Sequence, residues 1–474
     1  MDSPNPPAAD SARSESDPAL DASAKRSLLW LIAFSFFMQM LDSTIVNTAA
    51  PSIAAALAVS PLSIKTALIS YTLSLAVFIP LSAWLADRYG TRNVFWSAIA
   101  IFTASSLACG LAQNLTMLVV ARVVQGIGGA LMIPVGRLAI LRSFTKAEFV
   151  GAMAFATIPG LIGPAIGPFL GGVFSTWLSW RMIFFVNLPF GLAGLWMARR
   201  YMPDYRGASS TPLDLAGFVL FGLGVGGVSW ALEQVIEARY SAALLTGVPA
   251  ITLLVFYAWR SLRIAHPIVD LHLLRVPSFR IGVNGSFSTR LGVGGIYFLL
   301  TLLFQVGFGY SPVIAGLLQT PQAIAMLSTR FFVASIIRHL GYRRVLVVNT
   351  VLAGLMILSF ATFDANTPVW RLCTQVFLFG MVMSIQYTAV NTLGFVDLAP
   401  AQASMGSSMS STAQNLSISF GVAFGSLLMA CFLPAGAVGG AAYVAAFHTT
   451  VIILGLVTML SSIVFWRVPR AAAA

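Results

Sequence analysis

The chain has 474 residues, of which 58% are hydrophobic and only 9% are charged, and its mean hydropathy is +0.87. A soluble protein carries roughly a quarter charged residues, so the composition excludes a soluble fold. Apolar runs long enough to cross a ~30 Å hydrocarbon core recur along nearly the whole chain. The short alternating segments of a transmembrane barrel are absent. The sequence therefore predicts an all-α polytopic membrane protein.

The chain divides into two groups of apolar segments separated by a linker. Residues 1–26 are polar and rich in Pro, Ser and Asp, and they predict a disordered tail. Residues 27–200 and 278–470 each hold six span-length segments, and the linker at 201–277 holds two more. Residues 471–474 form a second tail. We expect about fourteen spans, arranged as two six-helix bundles with two inserted linker helices.

The loop charges orient these spans. On one side the loops carry only Lys65, Arg181, Arg239 and Arg371, whereas most other loop Lys and Arg residues share the side of both termini. Cytoplasmic loops are the ones enriched in Lys and Arg. The pattern predicts cytoplasmic termini in a bacterial inner membrane, and it explains the net charge of +12 without a nucleic-acid partner.

A weak internal repeat relates the two groups. "LADRYGTRNV" (85–94) and "IIRHLGYRRV" (336–345) each follow the second span of a group, and they align Gly90 with Gly341. Repeats of this kind are typical of secondary transporters, whose binding sites lie between the repeats near the midplane.

Four stretches carry a family resemblance. They are "LDSTIVNTAAP" (41–51), "LADRYGTR" (85–92), "LVVARVVQGIGGA" (118–130) and "GPAIGPFLGG" (163–172). In this order and spacing they resemble the major facilitator superfamily, and within it the fourteen-span drug:proton antiporters of the EmrB/QacA kind, above all the MdtD-type exporters. The resemblance implies the major facilitator fold.

Asp42 is a carboxylate inside the first predicted span, where a charge costs at least ~2.5–3.5 kcal/mol. Counted from the cytoplasmic side of the membrane, Asp42 lies ~21 Å up the first span, and Arg122 lies ~20 Å up the fourth span. A mutual ion pair would lower the cost of both charges, and a pair that titrates could carry a proton. The alternatives are a permanent pair, or Asp42 hydrogen-bonded to Thr44 and Asn47.

The loop at 85–92 is a candidate gate. Asp87 could accept hydrogen bonds at a neighbouring helix N-terminus, Arg88 and Arg92 supply paired charge, and Gly90 permits a tight turn. The resemblance implies that these residues latch the two bundles together in one stage of transport. The alternative is a solvated loop that only sets topology.

The fifth predicted span contains regularly spaced glycines and two prolines. Gly163, Gly167 and Gly171 recur every four residues and share one face, which lets another helix approach closely. The resemblance identifies an antiporter motif that controls leak and bending; its residues are Gly163, Pro164, Gly167, Pro168, Gly171 and Gly172. The alternative is static packing of small residues.

Arg290 and Arg330 are intramembrane charges in the later group, which holds no deep Asp or Glu. An arginine without a carboxylate suits an anionic substrate, although Asp397 could pair with Arg330 and amides could satisfy Arg290. The full set of predicted substrate-cavity residues is Gln39, Asn47, Gln125, Arg290, Gln305, Arg330, Tyr387 and Asn391.

No enzyme motif is present, and no GxxxxGK[ST] loop supports ATP drive. We expect no metal site and no cofactor, only a proton gradient as the energy source. The prediction is a proton-coupled exporter of small amphipathic molecules, with Asp42 and Arg122 in proton coupling. One alternative is an exporter of anionic metabolites or metal–carboxylate chelates anchored by Arg290, and a remote one is a non-transporting sensor. The expected partners are a small-molecule substrate, protons and the lipid bilayer, with no nucleic acid; whether an accessory efflux protein takes part stays open.

Overall fold

The computed structural model describes residues 21–207, 212–237, 239–399, 402–434 and 439–468, and every regular element within them is helical. Residues 1–20 of the predicted tail at 1–26, and the whole predicted tail at 471–474, lie outside these residues. The long helices are α1 (Ala22–Ala56), α2 (Pro61–Phe78), α3 (Thr91–Gly110), α4 (Leu115–Ser143), α5 (Ala147–Trp177), α6 (Met182–Tyr201), α7 (Leu215–Ile236), α8 (Tyr240–Ser261), α9 (Pro277–Gly307), α10 (312–340), α11 (342–362), α12 (Val369–Phe395), α13 (Ala403–Phe432) and α14 (Ala441–Phe465).

The number of spans follows from helix length. Thirteen continuous helices among the described residues are long and apolar enough to cross a membrane, and the longest runs from Pro312 to Thr362. Its 51 residues would extend about 77 Å, more than twice the hydrocarbon thickness. The helix breaks at Gly341, whose φ of 74° and ψ of 153° are not helical. This segment therefore supplies two spans, α10 and α11, and the prediction of fourteen is confirmed.

The break at Gly341 has a counterpart in the first half of the chain. Gly90, which separates the helix Leu81–Tyr89 from α3, has φ 88° and ψ 146°. Both positive φ values suit glycine, because a Cβ would be strained there. The two residues that the sequence repeat aligns thus make the same backbone turn between the second and third helices of their groups.

The first helix begins earlier than predicted. Ala22 lies inside the segment 1–26 that we expected to be disordered, yet it starts α1. The side chain of Asp21 accepts a hydrogen bond from Ala24 N at 2.7 Å, so it caps the helix and satisfies one of its free N–H groups. The predicted tail is too long at this end.

The two bundles meet away from the arginine-rich loops. We call the end that carries the segments at 79–92, 143–147 and 202–207 the basic end, and the other the opposite end. Gln305 Nε2 of α9 donates to Thr48 O of α1 at 2.8 Å, and Val313 N of α10 donates to Thr176 Oγ1 of α5 at 3.2 Å. Both contacts join the bundles near the opposite end.

Glycines make the closest contact between the bundles. A Cβ built on Gly316 of α10 would lie 2.3 Å from Pro168 O, and one built on Gly172 of α5 would lie 2.4 Å from Pro312 O. Backbone atoms cannot yield as the end of a flexible side chain can. The small residues therefore allow α5 and α10 to close the opposite end.

Gly316→Val should open this contact, because overpacking at a tight backbone approach costs about 1–3 kcal/mol. We expect a cysteine at the buried position Thr48 to react faster with a thiol reagent added at the opposite end. Gly151→Ala is the control, since a Cβ there meets nothing within 4 Å. Unchanged labelling in Gly316→Val would show that this contact does not hold the end closed.

Candidate functional site

Asp42 and Arg122 form an ion pair inside the first bundle. Arg122 Nη1 lies 2.5 Å from Asp42 Oδ2, and both side chains are 0% exposed. Isolated charges this deep would be very costly, so each requires the other. The tertiary structure brings together the two residues whose depths match in the sequence, and Thr44 bonds instead to the backbone of Met40 and Leu41.

Three polar side chains complete what we call the Asp42 cluster, which comprises Asp42, Ser106, Arg122, Gln125 and Asn187. Gln125 Nε2 donates to Asp42 Oδ1 at 3.0 Å, and Asn187 Nδ2 donates to the same oxygen at 2.9 Å. Gln125 Oε1 accepts from Arg122 Nη1 at 2.6 Å, while Gln125 Nε2 also donates to Ser106 Oγ at 2.7 Å. All three hydrogen bonds to Asp42 come from side-chain N–H groups, so both of its oxygens are acceptors, as in an ionised carboxylate.

The local sequence explains how these side chains converge. Arg122 and Gln125 are three residues apart on α4 and so share a face. Asn187 begins the second segment of α6, which breaks at Val186 because Pro189 has no N–H to bond back to Phe185. Gln125 was predicted to line the substrate cavity, but it is fully buried within the cluster.

Nothing in the sequence indicated Ser106, and the only signal for Asn187 was weak: an amide two residues before a proline.

Aromatic and backbone groups surround the guanidinium of Arg122. Its Cζ lies 4.2 Å from the ring centroid of Tyr71, which favours the positive charge. Its Nε donates to Ala67 O at 3.4 Å, whereas Nη2 has no partner among the described residues. Arg122 is therefore connected to α2 as well as to α1.

Gln125→Leu should destabilise the protein, because it removes a donor to Asp42 and an acceptor from Arg122. Hydrogen bonds to charged groups contribute about 1.5–3 kcal/mol each, so we expect a clear fall in the thermal midpoint in detergent. Gln386→Leu is the matched control: Gln386 is also buried, but it bonds only the neutral Asn349 and Thr350. Equal losses in both variants would contradict a special contribution from the charges.

A second polar group, the Arg290 cluster, lies in the later bundle and comprises Ser286, Arg290, Tyr387, Asn391 and Gln414. Arg290 Nη1 donates to Ser286 Oγ, and Nη2 donates to Gln414 Oε1 at 3.3 Å. The guanidinium lies 4.3 Å from the ring centroid of Tyr387, and Gln414 Nε2 donates to Asn391 Oδ1 at 3.2 Å. Arg290 is 6% exposed, and no carboxylate pairs with it among the described residues.

Two further arginines inside the spans have no hydrogen bond or ion pair among the residues that the structure describes. Arg330 is exposed, and the predicted pair with Asp397 does not form, because Asp397 is itself exposed beyond the end of α12. Arg137 of α4 was missed in the sequence, although it is a charge within an apolar span. Its side chain is exposed, and it has no hydrogen bond or ion pair in the described part of the chain.

The predicted gate packs within its own bundle. Asp87 Oδ1 accepts from Arg142 Nη2 at 3.3 Å rather than from a helix N-terminus, and Arg92 Nε donates to Met202 O at 2.6 Å. The turn at Gly90 lies directly against the side chain of Asp204, which a Cβ at this position would meet. These contacts hold the loop against the ends of α4 and α6. Arg88, predicted with them, lies in the last turn of the short helix before Gly90.

The glycines of α5 divide between two neighbours. A Cβ on Gly163, Gly167 or Gly171 would meet α1 at Leu41, Thr44 or Ile45, whereas one on Gly172 would meet α10. The predicted glycine face therefore packs on α1, next to Asp42, and not on the other bundle. Pro164 and Pro168 lie within the continuous helix between these contacts.

The remaining predicted cavity residues are dispersed. Gln39 is buried with its Oε1 unpaired, and Asn47 is half-buried without a hydrogen bond among the described residues. The Nε2 of Gln305 donates its hydrogen bond to Thr48 O, at the contact between the bundles. Separately, a cavity of about 820 Å³ between α3 and α4 and a groove of about 370 Å³ between α2, α4 and α7 lie among exposed apolar side chains and include none of the predicted residues.

Fourteen membrane-spanning helices, twelve of them in two bundles that each bury charged side chains, define a polytopic membrane transporter. The chain belongs to the Major Facilitator Superfamily, whose family model matches residues 32–422. It is 38% identical over 444 residues to "Putative multidrug resistance protein MdtD" of Serratia proteamaculans, covering 93% of each chain. It is 40% identical over 408 residues to the protein of that name from Klebsiella pneumoniae, covering 85% of this chain and 86% of that one. The family comprises transporters and not enzymes.

Solved structures share the fold at low identity. A bacterial homologue of the human lysosomal transporter Spinster, in an inward-facing and unoccupied conformation, matches with a TM-score of 0.68 at 14% identity, over 94% of this chain and 97% of that one. A D-xylose–proton symporter matches with a TM-score of 0.67 at 15% identity, over 95% and 99%. The multi-pass transporter fold predicted from the sequence is confirmed.

Proposed function

We propose that this protein is a proton-coupled exporter that works by alternating access. The observation that carries the proposal is Asp42, a fully buried carboxylate paired with Arg122 in the middle of the first bundle. Asp42 binds and releases the proton, and the positive charge of Arg122 is compensated only while Asp42 is ionised.

The coupling follows from charge balance. With Asp42 ionised, the pair is neutral overall and each oxygen of the carboxylate is hydrogen-bonded. A proton on Asp42 leaves the positive charge of Arg122 uncompensated in a low-dielectric interior, where it is costly. The protonated protein must therefore rearrange around Arg122, which also contacts α2. Such a rearrangement is the link between proton binding and helix movement.

The contacts between the bundles support one stage of the cycle. The bundles are joined near the opposite end, while the loop at 85–92 bonds within its own bundle. With cytoplasmic termini, as the loop charges predict, the space between the bundles would open to the cytoplasm of a bacterial inner membrane. The latch between bundles would then form in the other stage, when the cytoplasmic side closes.

The proposed cargo is a small amphipathic molecule. The support for this cargo is that the MdtD relatives carry multidrug resistance in their name. The test is reconstitution into vesicles with an acidic lumen. We expect uptake of a lipophilic cationic dye to raise the luminal pH, as exchange of substrate for protons requires. Uptake that is indifferent to the pH gradient would contradict the proposal.

A second candidate cargo is an anionic metabolite or a metal–carboxylate chelate. It is favoured by Arg290, which is nearly buried and has no carboxylate partner among the described residues. A carboxylate substrate would satisfy Arg290 through charge-assisted hydrogen bonds. In the same vesicles, uptake of a tricarboxylate anion in place of the dye would favour this candidate.

A further inference from the structure

The linker helix α7 is attached to α2 by a buried ion pair. Lys65 Nζ lies 3.2 Å from Glu233 Oε1, and the side chains are only 4% and 20% exposed. At the other end of the contact, the rings of Phe78 and Phe218 meet edge to face with centroids 5.2 Å apart. The helix is therefore fixed to α2 at two points about 20 Å apart along α2.

The ion pair is difficult to break. An ammonium group with this little exposure cannot be hydrated where it lies, and removal of its partner would leave an uncompensated charge. Lys65 has no other ion-pair partner among the described residues. The attachment of α7 to the first bundle is thus specific and directional.

The contact of α7 with the later bundle is of another kind. Phe221 and Val225 of α7 belong to an apolar cluster with Phe279 of α9 and Met409 of α13. Apolar packing has no directional requirement, so such surfaces can slide over one another in small steps.

Beneath α7 lies the seam where α2 and α13 meet. Ser419 Oγ of α13 donates to Ile69 O of α2 at 3.4 Å, one turn from Lys65. Because α7 contacts both helices, it covers this seam from the lipid side. Alternating access requires α2 and α13 to move relative to each other at this seam.

We propose that α7 moves with α2 as a seventh helix of the first bundle and slides across α13, so that the α2–α13 seam stays covered throughout the transport cycle. The linker helix α7 is then a lateral barrier that keeps lipid and lipid-dissolved molecules out of the space between the bundles on that side. The inference rests on alternating access, but it needs neither proton coupling nor a particular cargo.

Cross-linking tests the proposal in a background with Cys373→Ser and Cys431→Ser. Lys65→Cys/Glu233→Cys is linked with a short bis-maleimide, because two cysteines replacing such long side chains lie too far apart for a disulfide. Ile69→Cys/Ser419→Cys is linked across the seam as the comparison. We expect the first link to leave uptake at the rate of its unlinked parent, and the second to abolish uptake. Arrest by both links would overturn the proposal.

Spin-label distances give a readout that does not depend on transport and leaves the ion pair in place. Trp230→Cys on α7 is paired with Leu111→Cys in the first bundle or with Phe432→Cys on α13, all three being exposed. Across a pH series, measured both with and without the lipophilic cationic dye and the tricarboxylate anion, we expect one constant distance for 111–230 and a changing distance for 230–432. A changing 111–230 distance with a constant 230–432 distance would assign α7 to the later bundle. If uptake is not proton-driven while 111–230 stays constant, only the proposed coupling fails.

Discussion

Replacement of Asp42 by Asn is expected to abolish proton-driven uptake in vesicles with an acidic lumen. Asn keeps the shape of the side chain but cannot release a proton, so the pair with Arg122 can no longer alternate between two charge states. Removing one partner of a buried ion pair also costs about 3–5 kcal/mol of stability. The measurement is substrate uptake together with the luminal pH change, in protein shown to be folded by its thermal midpoint.

Two variants make this result specific. Asp42→Asn/Arg122→Gln removes both charges, so it should recover stability while remaining inactive in coupled uptake. Glu148→Gln is the matched control, because Glu148 is a partly exposed carboxylate at the basic end, bonded to Lys25 at 2.8 Å, and it should transport normally. Full proton-driven uptake in Asp42→Asn would remove Asp42 from the coupling mechanism.

Arg290→Ala is expected to weaken transport of a tricarboxylate anion by about 10–100-fold, the equivalent of one lost charge-assisted hydrogen bond. Transport of a lipophilic cation should be unaffected. The reason is that Arg290 bonds only neutral groups, Ser286 and Gln414, and stacks on Tyr387. Its charge is thus available to a substrate. Concentration-dependent uptake of both compounds measures the split.

Arg290→Lys distinguishes charge from geometry. A lysine keeps the positive charge but cannot offer two parallel donors, so partial recovery of anion uptake would support direct contact with a carboxylate. Arg137→Gln tests the exposed arginine of α4 in the first bundle; weaker uptake of the anion alone would add that residue to the anion site. Equal loss of anion and cation transport in Arg290→Ala would instead indicate a structural contribution to packing around Tyr387.

Part of this architecture could be predicted from the sequence, because it depends on local composition. The spans follow from apolar length, and the repeat around Gly90 and Gly341 follows from residues that permit a positive φ. The contact of Asp42 with Arg122 was predictable for a related reason: the lipid bilayer fixes depth, so two costly charges at one depth can be matched without knowledge of the fold.

Other parts of the site were decided only by the tertiary structure. Asn187 is 145 residues from Asp42 in the sequence, yet it donates a hydrogen bond to it. Lys65 was predicted as a loop charge, whereas the structure buries it against Glu233. The glycines of α5 indicated close approach, but packing alone decided that three face α1 and that Gly172 faces α10. Sequence therefore determined how often the chain crosses the membrane and which charges need compensation. The pairing of helix faces selected the compensating groups, because that selection depends on side chains far apart in the chain that meet only after folding.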